Sequence, residues 1–84
     1  MIAKGRLIYP PAAAEAGQEG VVKLKVLVLE NGSVGEVTVS EPSGSTALDT
    51  AAIAWVKKWR YRPAVQDGIR RRVFTHARVK FELE

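Results

Sequence analysis

Residues 45–63, STALDTAAIAWVKKWRYRP, constrain the fold more than any other stretch, because they alone combine a start signal, a helical apolar stripe and a stop signal. Thr46 is placed to cap the helix with its hydroxyl, and Asp49 sets a carboxylate against the positive end of the dipole. Leu48, Ala52, Trp55 and Trp59 recur at steps of four, three and four, with Ala51 and Val56 beside them, so one broad apolar face results. Thr50, Lys57, Lys58 and Arg60 make the opposite face. Pro63 removes a donor and restricts Arg62, so the helix is expected to end by about Tyr61. A helix this short does not persist alone in water. Its stripe requires a sheet to cover it.

The sheet is written on both sides of that helix. In residues 21–29, Val22, Leu24, Val26 and Val28 alternate with Val21, Lys23, Lys25, Leu27 and Leu29, so one face is fully apolar. Asn31-Gly32 follows and predicts a type I′ hairpin turn into a second strand, residues 34–40, with Val37 and Val39 sharing a face. After the helix, residues 64–68 read as a turn-rich connection. The chain then closes on a long alternation in which Val73, Thr75, Ala77, Val79, Phe81 and Leu83 interleave with Phe74, His76, Arg78, Lys80 and Glu82. That pattern is a half-buried strand. Ahead of the first strand, Tyr9, Pro10 and Pro11 lead into a short helical turn over residues 12–16, with Gly17 as its C-cap. The expected class is α+β: a short N-terminal helix, then strand-strand-helix-strand, with an antiparallel sheet under the helix. Residues 1–8 are expected as an extended N-terminal segment and 9–84 as a single domain.

Hydrophobic residues at 46% and charged residues at 26% are ordinary globular values, which excludes a disordered or collagen-like chain. No apolar run approaches the roughly 20 residues needed to span a bilayer, and Met1 is followed by no charged-then-apolar leader. The expectation is a chain soluble as made, or a fragment of a longer one. Cysteine is absent, which removes disulfides and thiolate chemistry. The net charge of +4 is unevenly placed: residues 1–56 hold four Lys or Arg against six Asp or Glu, whereas residues 57–80 hold nine against Asp67 alone. Such a concentration attracts nucleic acid, anionic headgroups or acidic protein surfaces without choosing among them.

Catalysis has little to stand on. His76 is the single histidine and falls on the solvent face of the last strand, so no metal set forms around it and no cofactor is expected. Asp49 has a capping role, Asp67 sits in a turn, and no strained nucleophile elbow surrounds any of the serines. The glycines form no phosphate-binding fingerprint. Trp55 and Trp59 share the helix face that carries Leu48 and Ala52, which makes them core rather than a stacking platform. Arg70, Arg71 and Arg72 read as a solvated turn and strand start. A nucleic-acid role would need interleaved exposed aromatics, and only Phe74 and Tyr61 are available.

The last strand is different. A strand that ends the chain is commonly an edge, and a long edge offers unpaired amides and carbonyls to any extended peptide, while its cations discourage self-pairing. Peptide capture by strand addition is therefore open to this chain.

Tyr9-Pro10, Gly20-Val21-Val22, Asn31-Gly32-Ser33-Val34, Ser43-Gly44, Leu48-Asp49, Ala51-Ala52, Trp59-Arg60-Tyr61-Arg62-Pro63 and Val79-Lys80-Phe81-Glu82-Leu83 appear in this order and spacing. Together they resemble the C-terminal domain of TonB energy transducers, over nearly the whole chain. The resemblance implies a three-stranded sheet with helices packed on one face. It also implies a periplasmic domain of an inner-membrane-anchored parent and no enzymatic activity. Its expected partner is the TonB box of outer-membrane transporters, grasped by strand addition. The parent would transmit force derived from the proton gradient, through an inner-membrane ExbB/ExbD motor reached by its other part, for import of substrates such as siderophores or vitamin B12. The partner-binding residues it implies are Arg6, Tyr9 and Pro10 near the Tyr-Pro motif, and Val73, Phe74, Thr75, His76, Ala77, Arg78, Val79, Lys80 and Phe81 along the last strand. Nucleic acid is not an expected partner, and both a monomer and a strand-swapped dimer fit. The alternative reading is a basic module for nucleic acid or anionic surfaces.

Overall fold

The computed structural model describes residues 7–83. Their elements run α1 (Pro11–Glu15), β1 (Gly20–Val28), β2 (Val34–Glu41), α2 (Thr46–Val56), β3 (Ala64–Gln66), β4 (Ile69–Arg71) and β5 (Val73–Phe81). The fold is α+β as expected, with an antiparallel three-stranded sheet in the order β2-β1-β5. α2 lies across one face, chiefly over β1 and β2, and α1 packs beside it.

The core is where the two periodicities meet. Val22, Leu24, Val26 and Val28 of β1 face Leu48, Ala52 and Val56 of α2, joined by Trp59, Ala77, Val79 and Phe81, and all are buried. Period two on the strand and steps of four on the helix bring those rows into register on one layer.

Several local expectations change. The N-cap is Ser45 rather than Thr46: Ser45 has extended backbone and its side chain accepts from the Leu48 amide, so the earlier of two adjacent hydroxyls does the capping. Asp49 reaches further back than the cap, with its Oδ1 accepting from the Ser43 amide at 2.9 Å and the Ser43 hydroxyl at 2.8 Å, which closes the loop before the helix.

The helix also ends earlier than Tyr61. Lys58 and Trp59 donate to the carbonyls of Trp55 and Val56 in tightened i→i+3 bonds, and Tyr61 then donates to the Gly32 carbonyl at 2.8 Å. Pairing with the β1–β2 turn, through a bridge between Ser33 and Arg60, pulls the chain off the helix axis before Pro63 acts. The buried stripe is therefore Leu48, Ala52 and Val56. Trp55 sits at its half-buried flank, with its ring edge-on to Trp59 at 4.9 Å between centroids.

Both hairpin turns differ from the expected reading. Among the described residues Asp67 is the one non-glycine with positive φ, so Asn31 does not adopt the conformation a type I′ turn needs. Instead Gly32 donates to the Leu29 carbonyl and Leu29 to the Ser33 carbonyl, with Gly32 at φ 87°, the pattern of a type I turn closed by a glycine bulge. The two-residue turn falls at Asp67-Gly68, φ 53° and 76°, where the expected turn-rich connection forms a hairpin, β3 against β4.

Candidate functional site

β5 is built for pairing on two sides and uses one. It pairs with β1 without interruption from Gly20↔Phe81 to Val28↔Val73, and among the described residues no strand lies on its other side. The opposite edge of the sheet is less regular. β2 meets β1 with register shifts at two places, between Lys23 and Leu24 and between Val26 and Val28, and its start is covered by the Ser33–Arg60 bridge. Bulges twist and interrupt an edge, so β5 is the flatter template for an added strand.

The side chains of β5 sort by face. Phe74, His76, Arg78 and Lys80 are exposed on the side away from α2, while Ala77, Val79 and Phe81 are buried and Thr75 is half-buried. The alternation is as read, but its burial fades toward the strand's start, where Val73 is 38% exposed. Phe81 is covered by the Tyr9 ring, and α2 reaches less of β5 than of its neighbours, so among the described residues the start of β5 is less covered than its end.

On the solvent face, cross-strand neighbours place Lys25 beside His76, Lys23 beside Arg78 and Leu27 beside Phe74. Lys25 holds its ammonium 4.4 Å from the Phe74 ring centre. Carboxylates stand at the margins: Glu41 pairs with Lys23, Glu82 with Lys80 and Glu30 with Arg72, all exposed. His76 and Arg78 form no ion pair among the described residues. No cluster of metal-ligating side chains occurs among them either.

The Tyr-Pro pair lies at the other end of β5. Tyr9 meets Phe81 edge-on, 5.3 Å between centroids, and its hydroxyl donates to the Gln18 carbonyl. Desolvation, with Glu19 nearby, holds the phenol above its ordinary pKa. Glu19 also accepts from the Leu83 amide at 2.6 Å, which ties the segment after β5 to the start of β1. Pro10 precedes α1 and lines, with Ile8, Ala51, Ala54, Trp55 and Lys58, an open apolar cavity of about 200 Å³. Arg6 lies outside the described residues. The structure thus brings Tyr9 to the last strand, a contact between chain ends that no local pattern announces. It also adds Glu19 and the β3–β4 hairpin, of which Asp67-Gly68 was the available signal.

A helix-backed antiparallel sheet with a regular strand at its edge defines an α+β domain. The family described as Gram-negative bacterial TonB protein C-terminal matches residues 5–83, and the chain belongs to it. It is 48% identical to protein tonB2 of Pseudomonas aeruginosa over 56 residues, 67% of this chain and 21% of that protein. It is 42% identical to protein TonB of Xanthomonas campestris over 60 residues, 71% of this chain and 27% of that protein. The solution structure of the Pseudomonas aeruginosa TonB C-terminal domain superposes with a TM-score of 0.78 at 27% identity, covering 99% of this chain and 87% of that one. The matched stretch thus spans less than a third of these full-length relatives. No described helix is long and apolar enough to cross a membrane.

Proposed function

We propose that this domain captures the TonB box of outer-membrane transporters as a strand added to β5, in the periplasm, as the C-terminal part of an inner-membrane-anchored energy transducer. The parent would pass on force derived from the proton gradient, received from an ExbB/ExbD motor, for import of substrates such as siderophores or vitamin B12. The observation that carries this reading is the contrast between edges: β5 keeps register with β1 over all nine of its residues, whereas β2 is shifted twice. Main-chain hydrogen bonds along Val73–Phe81 supply the affinity, and alternate side chains at Phe74, His76, Arg78 and Lys80 line one side of the added strand. Tyr9 and Pro10 sit at the Phe81 end, where an incoming strand leaves the edge.

Calorimetry with peptides copied from the N-termini of outer-membrane transporters tests it. Saturable binding that persists at high salt supports strand addition. Binding that collapses with salt, or none, favours the alternative of a basic module for nucleic acid or anionic surfaces. That alternative draws on the cationic sheet face, but its one exposed aromatic, Phe74, lies under Lys25 rather than open for base stacking.

A further inference from the structure

Four of the five large apolar side chains exposed among the described residues fall within residues 65–74: Val65, Ile69, Val73 and Phe74. The same ten residues carry Arg70, Arg71 and Arg72 against one carboxylate, Asp67. Exposed apolar side chains concentrated this way on a small domain are suited to contact with a partner. Arg72 is held by Glu30 at 3.1 Å, while Arg70 and Arg71 form no ion pair among the described residues. β3 and β4 pair with each other and not with the three-stranded sheet, so the hairpin stands apart as a ribbon. Its register, Val65↔Arg70 and Gln66↔Ile69, sets Val65 with Arg70 on one face and Ile69 with Arg71 on the other. Each face therefore offers one aliphatic side chain beside one guanidinium. Only Arg72 separates β4 from β5, so this surface is continuous with the edge proposed to accept a strand.

We propose that the hairpin and the first residues of β5 form a second contact for the same partner, taking an acidic segment with interspersed apolar side chains that directly adjoins the strand-adding stretch. The inference rests on the strand-addition reading. Guanidinium groups match carboxylates in geometry and charge, and the aliphatic neighbours exclude water from those pairs. The other occupants fit less well. Nucleic acid needs stacked aromatics, and Phe74 is the one exposed ring in the patch. A bilayer would meet Asp67 at the hairpin tip, and the division of Val65 and Ile69 between opposite faces leaves neither face fully apolar. A second copy would bring Arg70 and Arg71 against like charge.

The test uses a peptide of alternating valine and threonine, alone and extended through a glycine by alternating glutamate and leucine at either end. One extension is expected to tighten binding by about tenfold or more, and the opposite one to leave it unchanged. The gain should vanish in Arg70→Gln/Arg71→Gln and in Val65→Ser/Ile69→Ser, with the plain peptide still bound. If the plain peptide binds and neither extension helps, or the gain survives both double variants, this proposal falls and strand addition stands. If no peptide binds, both fall. Sedimentation with phosphatidylglycerol vesicles, or a dimer by ultracentrifugation, abolished by the same substitutions would give the surface another occupant and overturn the proposal.

Discussion

Tyr9 stands edge-on to Phe81 with ring centroids 5.3 Å apart, so a residue ahead of the first helix is packed on the residue that closes the last strand. The Tyr9 hydroxyl donates to the Gln18 carbonyl, which ties the same side chain to the approach to β1. Tyr9→Ala is expected to destabilise the domain by about 1–3 kcal/mol, since it uncovers Phe81 as well as losing the ring pair. Tyr9→Phe keeps the ring and loses only the exposed hydroxyl's bond to Gln18, so it should cost clearly less than Tyr9→Ala. Urea midpoints of both variants check this, and equal losses would mean that the ring contact contributes nothing.

Gly32 shows why one glycine is not like another. Its φ is 87°, and a Cβ there would stand well inside contact distance of the Tyr61 carbonyl oxygen. Gly68 has φ 76° but open space around it. Gly68→Ala should therefore cost about 1–2 kcal/mol, the left-handed backbone penalty alone. Gly32→Ala adds displacement of the segment after α2, and thermal unfolding should place it clearly below Gly68→Ala.

Trp59 is 3% exposed and packed between Trp55 and Tyr61. Trp59→Ala is expected to cost about 3–5 kcal/mol, the range for a large aromatic removed from a packed core. Lys58→Ala, one residue away and exposed, should shift the denaturant midpoint little.

A hydrogen bond from its own backbone, then one from Arg72, hold the Glu30 carboxyl below its ordinary pKa. A depressed folded pKa contributes stability that is present above the unfolded value and lost as pH falls through the folded one. Wild type should therefore exceed Glu30→Gln slightly at neutral pH, and the gap should close below the carboxylate range. Denaturation curves across that range would show a constant gap if the pairing were immaterial.

What could be read in advance was whatever a short window determines. Alternation at Val22, Leu24, Val26 and Val28 marked a strand and its buried face, because both follow from period two. The depth of β5 could not be read, since the burial of Val73 and Phe81 depends on what covers them, and Tyr9 covers only one. Asn31-Gly32 carries the stronger hairpin signal, and residues 64–68 read only as turn-rich. The first turn is nonetheless bulged, with the Gly32 carbonyl engaged by the distant Tyr61 amide, and the tight two-residue turn falls at Asp67-Gly68. The early end of α2 involves the same contact, because Tyr61 finds a partner in Gly32 that no helix rule anticipates. For the candidate site, the terminal strand was legible as an edge, but its advantage over β2 lies in register shifts that only the pairing reveals.

If β5 is the docking edge, its outward amides matter more than its side chains, and proline is the substitution that separates the two. In an antiparallel pair, successive residues point their amides alternately toward the neighbouring strand and away from it. Thr75 differs in phase from Arg78 and Lys80, so proline at these three positions samples both directions. Proline in the phase that faces β1 removes a ladder bond and should unfold or weaken the domain. In the outward phase it is tolerated, as on any edge strand, and removes a donor that only a partner would use. At least one folded variant should thus lose transporter-peptide binding by about tenfold or more, while alanine at the same position keeps it. Proline at Thr38, on the shifted edge formed by β2, serves as the comparison and should leave peptide affinity intact wherever the domain folds. Circular dichroism establishes folding and calorimetry the binding. Should every folded β5 proline variant bind as its alanine counterpart does, the peptide does not add to this strand, and the cationic sheet face becomes the better candidate.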